Sequence, residues 1–320
     1  MSISLFDLDK KLKNFFLYEK NPHIAVAVSG GPDSIALVFI LNKWIKQQKG
    51  KLTALIVDHR IRSESYFESL ETKKYLDTKG INNSILRIAK NVISRGQMSN
   101  ARFNRFHKMF NYCKENKIFH LFLGHHLDDN IETFVLRKIA GSNFEGLNCM
   151  QTVSINGNIQ IIRPLLIFSK KEILNYNKKF KLKYFNDPSN KNIKYSRTIV
   201  RTYLAENKNI INNIMKDFHL VQHEYKQYKK MIFKILNIIL IDLKLNSVAI
   251  DVKKFSNLNH ELKIKLINIL IKFLKNSDFN IKAKKIENII KVIKNPLNMP
   301  FKTHKVLIKK NTEILSFSVN

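Results

Sequence analysis

The sequence predicts an α/β protein: a doubly wound parallel sheet over residues 1–205, then a smaller, mainly helical, Lys-rich domain over 206–320 with a C-terminal hairpin. Up to about residue 205, short β-prone runs alternate with helix-length amphipathic stretches. The chemistry-bearing residues gather where those runs end, which is where open parallel sheets bind ligands. Beyond that point helical periodicity takes over, and all ten Arg of the chain lie at or before Arg201.

Residues 5–18 read as an amphipathic opening helix. His23 to Val28 are apolar and β-prone enough for a buried parallel strand, and Ser29-Gly30-Gly31-Pro32-Asp33-Ser34 follows. Gly30 and Gly31 permit a turn with positive φ and let an anion meet the backbone with no Cβ in the way. Pro32 suits a first helical turn. Ile35, Leu37, Val38, Leu41 and Ile45 then recur three and four apart, so a helix starts where the anion sits, its free N–H groups and dipole facing the charge. Ser29 and Ser34 add hydroxyl donors. The two common glycine-rich phosphate patterns, one ending in Gly-Lys-Ser/Thr and one with three spaced glycines, are both missing.

Further strands are expected over 51–58, 84–88, 118–124 and 159–162, and further helices over 64–79, 98–117, 128–139 and 170–180. In the second of these helices Phe103, Phe106, Met109, Phe110 and Tyr112 form most of the apolar stripe. Helical periodicity then covers 210–241, 257–274 and 282–294. Two β-prone runs around Asn311-Thr312 suggest a closing hairpin.

A length of 320 residues makes two domains the default. The net charge of +31 predicts a polyanionic partner. A membrane is a poor candidate, because the longest apolar stretch, 231–245, is broken by Lys234, Asp242 and Lys244, and the N-terminus lacks a signal-peptide core. Cys113 and Cys149 have no paired spacing, which fits a reduced, cytoplasmic protein. Where Lys is the default cation, Arg marks places that need a planar fork for phosphate or base. Arg102, Arg105, Arg137, Arg163, Arg197 and Arg201 are therefore candidates, with a solvated helix face as the plainer reading of Arg102 and Arg105.

A second constellation, His125-His126-Leu127-Asp128-Asp129-Asn130-Ile131-Glu132-Thr133, puts two imidazoles and three carboxylates at a strand-to-helix corner. Asp129 and Glu132 share a helix face. Adjacent His residues lack the i, i+4 spacing of helical zinc ligands. Carboxylates next to a phosphate cradle suit Mg²⁺ better, with helix-capping acids and a core His as the plainer reading.

Residues 29–34 resemble the PP-loop of the N-type ATP pyrophosphatases, and the His125 to Thr133 stretch resembles the His-His-x-Asp-Asp-x-x-Glu-Thr signature of the tRNA(Ile)-lysidine synthetases within that superfamily. Val57-Asp58-His59-Arg60-Ile61-Arg62, Ala101-Arg102-Phe103-Asn104-Arg105-Phe106, Gly146-Leu147, Arg163-Pro164-Leu165-Leu166, Lys171-Glu172-Ile173 and Asp187-Pro188-Ser189-Asn190 match in order. The chain is similar to the shorter members, which lack a further C-terminal domain. It departs from the family at Ala140-Gly141, where Arg-Gly is usual, at Arg197-Thr198, where Arg-Asn is usual, and at Cys149, where Gly is common.

The resemblance implies a PP-loop ATPase domain that adenylates the wobble cytidine of an isoleucine tRNA with a CAU anticodon. L-lysine then displaces AMP to give lysidine. It also implies ATP phosphates cradled by residues 29–34, with Asp58 and His59 beside the nucleotide and Mg²⁺ at Asp33 and Asp129. His125 and Arg105 would stabilise developing charge, and Glu132 would receive the positive end of lysine. Arg102, Arg137, Asp187, Asn190, Arg197 and Arg201 would contact substrate. His59 also reads as a surface loop residue and Asp187 to Asn190 as an ordinary Asp-Pro turn. The alternatives are a PP-loop tRNA thiolase and a non-catalytic tRNA-binding protein of the same fold. The sequence leaves the oligomeric state, monomer or homodimer, open.

Overall fold

The computed structural model describes residues 4–58, 63–88, 97–185, 196–275, 281, 283–294, 300–303 and 305–319. The chain divides into two compact units, Met1–Val221 and Gln222–Asn320.

In the first unit the elements run α1 (Leu8–Lys11), β1 (His23–Val28), α2 (Pro32–Gln47), β2 (Lys51–Asp58), α3 (Ser63–Thr78), β3 (Asn83–Arg87), α4 (Gln97–Glu115), β4 (His120–Phe122) and α5 (Leu127–Ile139). Then follow α6 (Phe144–Leu147), β5 (Val153–Asn156), β6 (Ile159–Ile162), α7 (Lys170–Lys179), α8 (Ser196–Glu206) and α9 (Lys208–Ile239), the last running on into the second unit. The sheet order is β3-β2-β1-β4-β6-β5, with every pair parallel except β5–β6. The expected parallel sheet is thus mixed, because residues 153–156 form a short hairpin strand with too little apolar pattern to read beforehand.

Alternation along the strands fills two cores. Ile24, Val26 and Val28 pack with Ile35, Leu37, Leu41 and Trp44 of α2 and with Ile173 of α7, while Ala25, Leu55, Leu121 and Ile161 pack with Met109 and Cys113 of α4. Helices therefore cover both faces, as in doubly wound folds. The expected opening helix is only one turn of α-helix between two 3₁₀ turns, Leu5–Asp7 and Leu12–Asn14. Leu5, Leu8 and Leu12 are buried as its pattern requires, but Phe16 leaves the helical path to pack edge-on against Trp44 and Phe122.

The second unit contains β7 (Leu240–Lys244), β8 (Ser247–Asp251), α10 (Val252–Ser256), α11 (His260–Lys275), α12 (Ala283–Lys294), β9 (Phe301–Thr303), β10 (Val306–Lys310) and β11 (Ile314–Val319). The hairpin expected around Asn311-Thr312 is β10–β11. It belongs to a five-stranded antiparallel sheet, β7-β8-β11-β10-β9, and β7 begins inside the 210–241 stretch that periodicity assigns to helix. The apolar faces of α11 and α12 cover that sheet, with Leu266, Leu270, Ile286, Ile290, Ile308 and Phe317 in one core. Among the described residues no helix is long and apolar enough to cross a membrane.

Candidate active site

Strand order reverses between β1, which continues to β2 on one side, and β4 on the other, so the sheet's crevice opens at their carboxyl ends. Both sequence constellations sit there.

After β1, Gly30 takes φ +80° and Gly31 caps α2 in extended conformation. A Cβ on Gly30 would stand 2.6 Å from Thr72 Oγ1, whereas one on Gly31 would meet only Ser29 Oγ at 3.4 Å. Gly30 is thus needed for folding, and Gly31 keeps the backbone open to a ligand. Pro32 opens α2 as its first residue. Ser34 Oγ accepts the Ser29 backbone N–H at 3.2 Å and donates to Gly31 O at 3.0 Å, tying strand end to helix start. From α7, Asn177 Nδ2 donates to Pro32 O at 2.9 Å, and Phe185 N donates to Gly30 O at 2.9 Å.

After β4 the chain passes closely under this turn, since a Cβ on Gly124 would lie 3.2 Å from Ser34 N. The His126 backbone N–H donates to Asp129 Oδ2 at 3.1 Å, which caps α5 and fixes that carboxylate. The His126 imidazole is buried, with Nε2 3.5 Å from Asp129 Oδ2 and 3.9 Å from Asp33 Oδ1, and Nδ1 3.5 Å from Asp128 Oδ2. Asp33 and Asp129, from different corners, thus reach one ring nitrogen. Burial opposes the imidazolium most strongly and Lys170 adds to that, yet the three carboxylates together raise the His126 pKa. Burial pushes Asp128 up, but His126 and the Lys170 backbone N–H at 2.8 Å bring it below its ordinary value. Lys170 Nζ also holds both Asp33 oxygens, at 2.6 and 2.7 Å.

A cavity of about 300 Å³ joins these parts. It is lined by Ser29, Asp33 and Ser34, by Gly124 and His125, by Arg105 of α4, and by Ser65, Glu68 and Ser69 of α3. Asp58, at the end of β2, is fully buried beside it and accepts from Ser65 Oγ at 3.3 Å.

Farther along α5, Glu132 is 3% exposed and takes a two-point ion pair from Arg201 of α8, Nε–Oε1 2.7 Å and Nη2–Oε2 3.0 Å. Hydrogen bonding to Glu132 raises the Arg201 pKa further. Arg197 Nη2 donates to Thr133 Oγ1 at 3.3 Å. Val200 and Leu204 of α8, the helix that carries both arginines, pack with Ile131 and Phe134 of α5. Arg137 instead binds the Gly146 carbonyl and steadies the short α6. Cys149 takes φ +56°, in the left-handed region that favours Gly.

His59, Asp187, Asn190 and the Arg102 side chain lie outside the described residues. Sequence reasoning missed Lys170 and the α3 residues, and it included His126 in the constellation without giving it a role. The Ser169…Glu172 capping box, with hydrogen bonds in both directions, was the legible sign that α7 begins at that point.

Two carboxylates, Asp33 and Asp129, suit Mg²⁺, which commonly binds one or two carboxylates and completes its shell with phosphate and water oxygens. Among the described residues no group of three or more His, Cys, Asp or Glu is placed to hold a metal on its own.

Residues 5–208 match the family described as the PP-loop domain. The tRNA(Ile)-lysidine synthase of Orientia tsutsugamushi (strain Boryong) is 38% identical over 197 residues, 60% of this chain and 44% of that relative. The enzyme of the same name from Wolbachia pipientis wMel is 40% identical over 191 residues, 59% of this chain and 44% of that relative. The matched stretch therefore spans less than half the length of these relatives. Among solved structures, the U34-tRNA thiolase NcsA from Methanococcus maripaludis with its [4Fe-4S] cluster superposes with a TM-score of 0.58 and 19% identity, over 70% of this chain and 78% of its own, which shows the fold alone.

Proposed function

This chain belongs to the PP-loop family, and from that premise we propose that it is a cytoplasmic, ATP-dependent ligase that joins L-lysine to C2 of the wobble cytidine of isoleucine tRNA with a CAU anticodon. The observation that carries this reading is the convergence of Asp33 and Asp129 on one imidazole beside the glycine turn. Those parts suit a nucleoside triphosphate held next to a divalent cation, and the similarity to tRNA(Ile)-lysidine synthases supports isoleucine tRNA as the acceptor.

In the proposed reaction the cytidine O2 attacks the α-phosphorus of ATP and pyrophosphate leaves. The lysine ε-amine then attacks C2, and the C2–O bond breaks so that the oxygen departs with AMP. The N–H groups opening α2, with the Ser29 and Ser34 hydroxyls, bind phosphate oxygens. Asp33 and Asp129 would hold Mg²⁺, which would supply charge neutralisation at the phosphates. Lys170 and His126 keep both carboxylates in place. His125 and Arg105, lining the same cavity, stabilise charge that grows at the reacting phosphate. Glu132, oriented by Arg201, receives the ammonium end of lysine. Arg197, Arg102, Asp187 and Asn190 complete the substrate contacts, and Arg137 acts on them only through the α6 turn that it holds.

The thiolase alternative needs an accessible, readily ionised thiol. Cys113 is fully buried with its thiol pushed up to about 12 by burial, and burial also raises Cys149. The test is incorporation of radiolabelled lysine into an isoleucine tRNA transcript with a CAU anticodon. Lysine-dependent AMP release supports the ligase. Sulfur transfer, or no tRNA-dependent pyrophosphate release, would overturn it.

A further inference from the structure

The aromatic stripe of α4 is only partly used by the core. Met109 is fully buried, but Phe103 is 69% exposed, and Phe106 and Phe110 are half-buried. With His107 they occupy positions i, i+3, i+4 and i+7, one strip of the helix. The four rings line a groove of about 540 Å³ between α4 and the β5–β6 hairpin, and Arg163, at the end of β6, lines its other wall. Phe103 and His107 stack with centroids 6.0 Å apart and planes at 27°, and Phe106 and Phe110 stack at 5.8 Å and 29°. The Arg163 guanidinium is fixed by donating to Gln151 O at 3.1 Å and Ser154 Oγ at 2.9 Å.

Two observations indicate what this groove takes. Its lining carries cation-forming groups and no carboxylate, in a chain of net charge +31, so its complement is anionic. It also adjoins the nucleotide-sized cavity, because Arg105, which lines that cavity, holds its guanidinium 5.5 Å over the Phe106 ring. Exposed aromatic rings interleaved with cations are how single-stranded nucleic acid is gripped, since every base has a π-face.

We propose that this groove binds an unstacked nucleobase of the RNA, laid against the Phe103–His107 pair, next to the base that reacts. The proposal rests on the reading of RNA as substrate and names the surface that keeps the loop splayed. Phe103 touches a base that is not chemically changed, so it governs RNA affinity and leaves ATP binding alone.

The experiment uses the full chain and an anticodon stem-loop RNA with 2-aminopurine placed in the loop beside the reacting cytidine. Binding to the unmodified protein is expected to quench the fluorophore by stacking. Phe103→Ala is expected to abolish the quench and weaken RNA binding roughly 5- to 100-fold, the range for loss of one base–aromatic stack. ATP affinity and the salt dependence of RNA binding should stay the same, since no phosphate contact is removed. Phe103→Trp should restore both quench and affinity.

Unchanged quench and affinity in Phe103→Ala, while the parent protein binds RNA and incorporates lysine, would overturn the groove assignment alone. A parent protein that quenches the fluorophore but incorporates no lysine would overturn the ligase reading and leave the groove standing. No RNA binding by the parent protein would overturn both. A change in sedimentation of Phe103→Ala with RNA binding unaltered would assign the groove to self-association and overturn the proposal.

Discussion

The corners that follow β1 and β4 are neighbours in the sheet, and they handle charge in opposite ways. Residues 29–34 offer backbone N–H groups, two hydroxyls and a helix start, with the one acid of the turn, Asp33, taken up by Lys170. Residues 125–132 offer carboxylates around a buried imidazole, with the helix start already capped by Asp129 from within. A helix N-terminus binds an external anion only if its own sequence leaves it open. The same strand-to-helix geometry thus leaves backbone N–H groups open in one place and gathers carboxylates in the other, decided by glycine against aspartate.

The largest expected effect removes the residue shared between the corners. Asp33→Ala should lower tRNA-dependent pyrophosphate release by about 100- to 1000-fold, the size seen when a stabilising group at a reacting phosphate is lost. Its melting transition should remain cooperative, and near-parental turnover would show that the corners do not cooperate.

Within the first corner, the two glycines separate folding from binding. Gly30→Ala should destabilise by roughly 2–4 kcal/mol, combining a left-handed φ with a clash against Thr72. Gly31→Ala should stay within about 1 kcal/mol of the parent in thermal denaturation. It should nevertheless weaken ATP binding in calorimetry, because its Cβ would stand where phosphate meets backbone.

In the second corner, Arg201→Ala leaves the buried Glu132 without its two-point partner. A loss of about 1–3 kcal/mol is expected, below the full cost of breaking a buried pair because Arg201 is half-exposed. Urea denaturation checks this, and an unchanged midpoint would show that Glu132 is satisfied by other means.

The smallest effect lies at the other end of β4, where His120 Nε2 and Glu19 Oε2 are 2.6 Å apart. Burial pushes Glu19 up, but the hydrogen bond to His120 lowers its pKa overall. The pair therefore stabilises the fold above the ordinary carboxylate range, and that contribution fades as pH falls through the lowered value. Glu19→Gln should remove an acid-side slope worth on the order of 0.5 kcal/mol or less, since the carboxylate is 43% exposed. Denaturation at a series of pH values checks it, and ATP turnover should not follow.

Much of the first unit was legible because its signals are local. Gly-Gly after an apolar run, Pro at a helix start and acids clustered after a strand each act through nearby backbone, so sequence alone determined the strand-to-helix corners and which polar groups sit at them. The antiparallel strands β5, β7 and β8 were not legible, since short, half-exposed strands take their stability from partners distant in sequence. Only the tertiary structure decided that Lys170 holds Asp33 across 137 residues, that Arg201 holds Glu132 across 69, and that Phe103 is left outside the core. Such ion pairs and exposures depend on which helix packs against which, and a one-dimensional pattern fixes the face of a helix but not its neighbour.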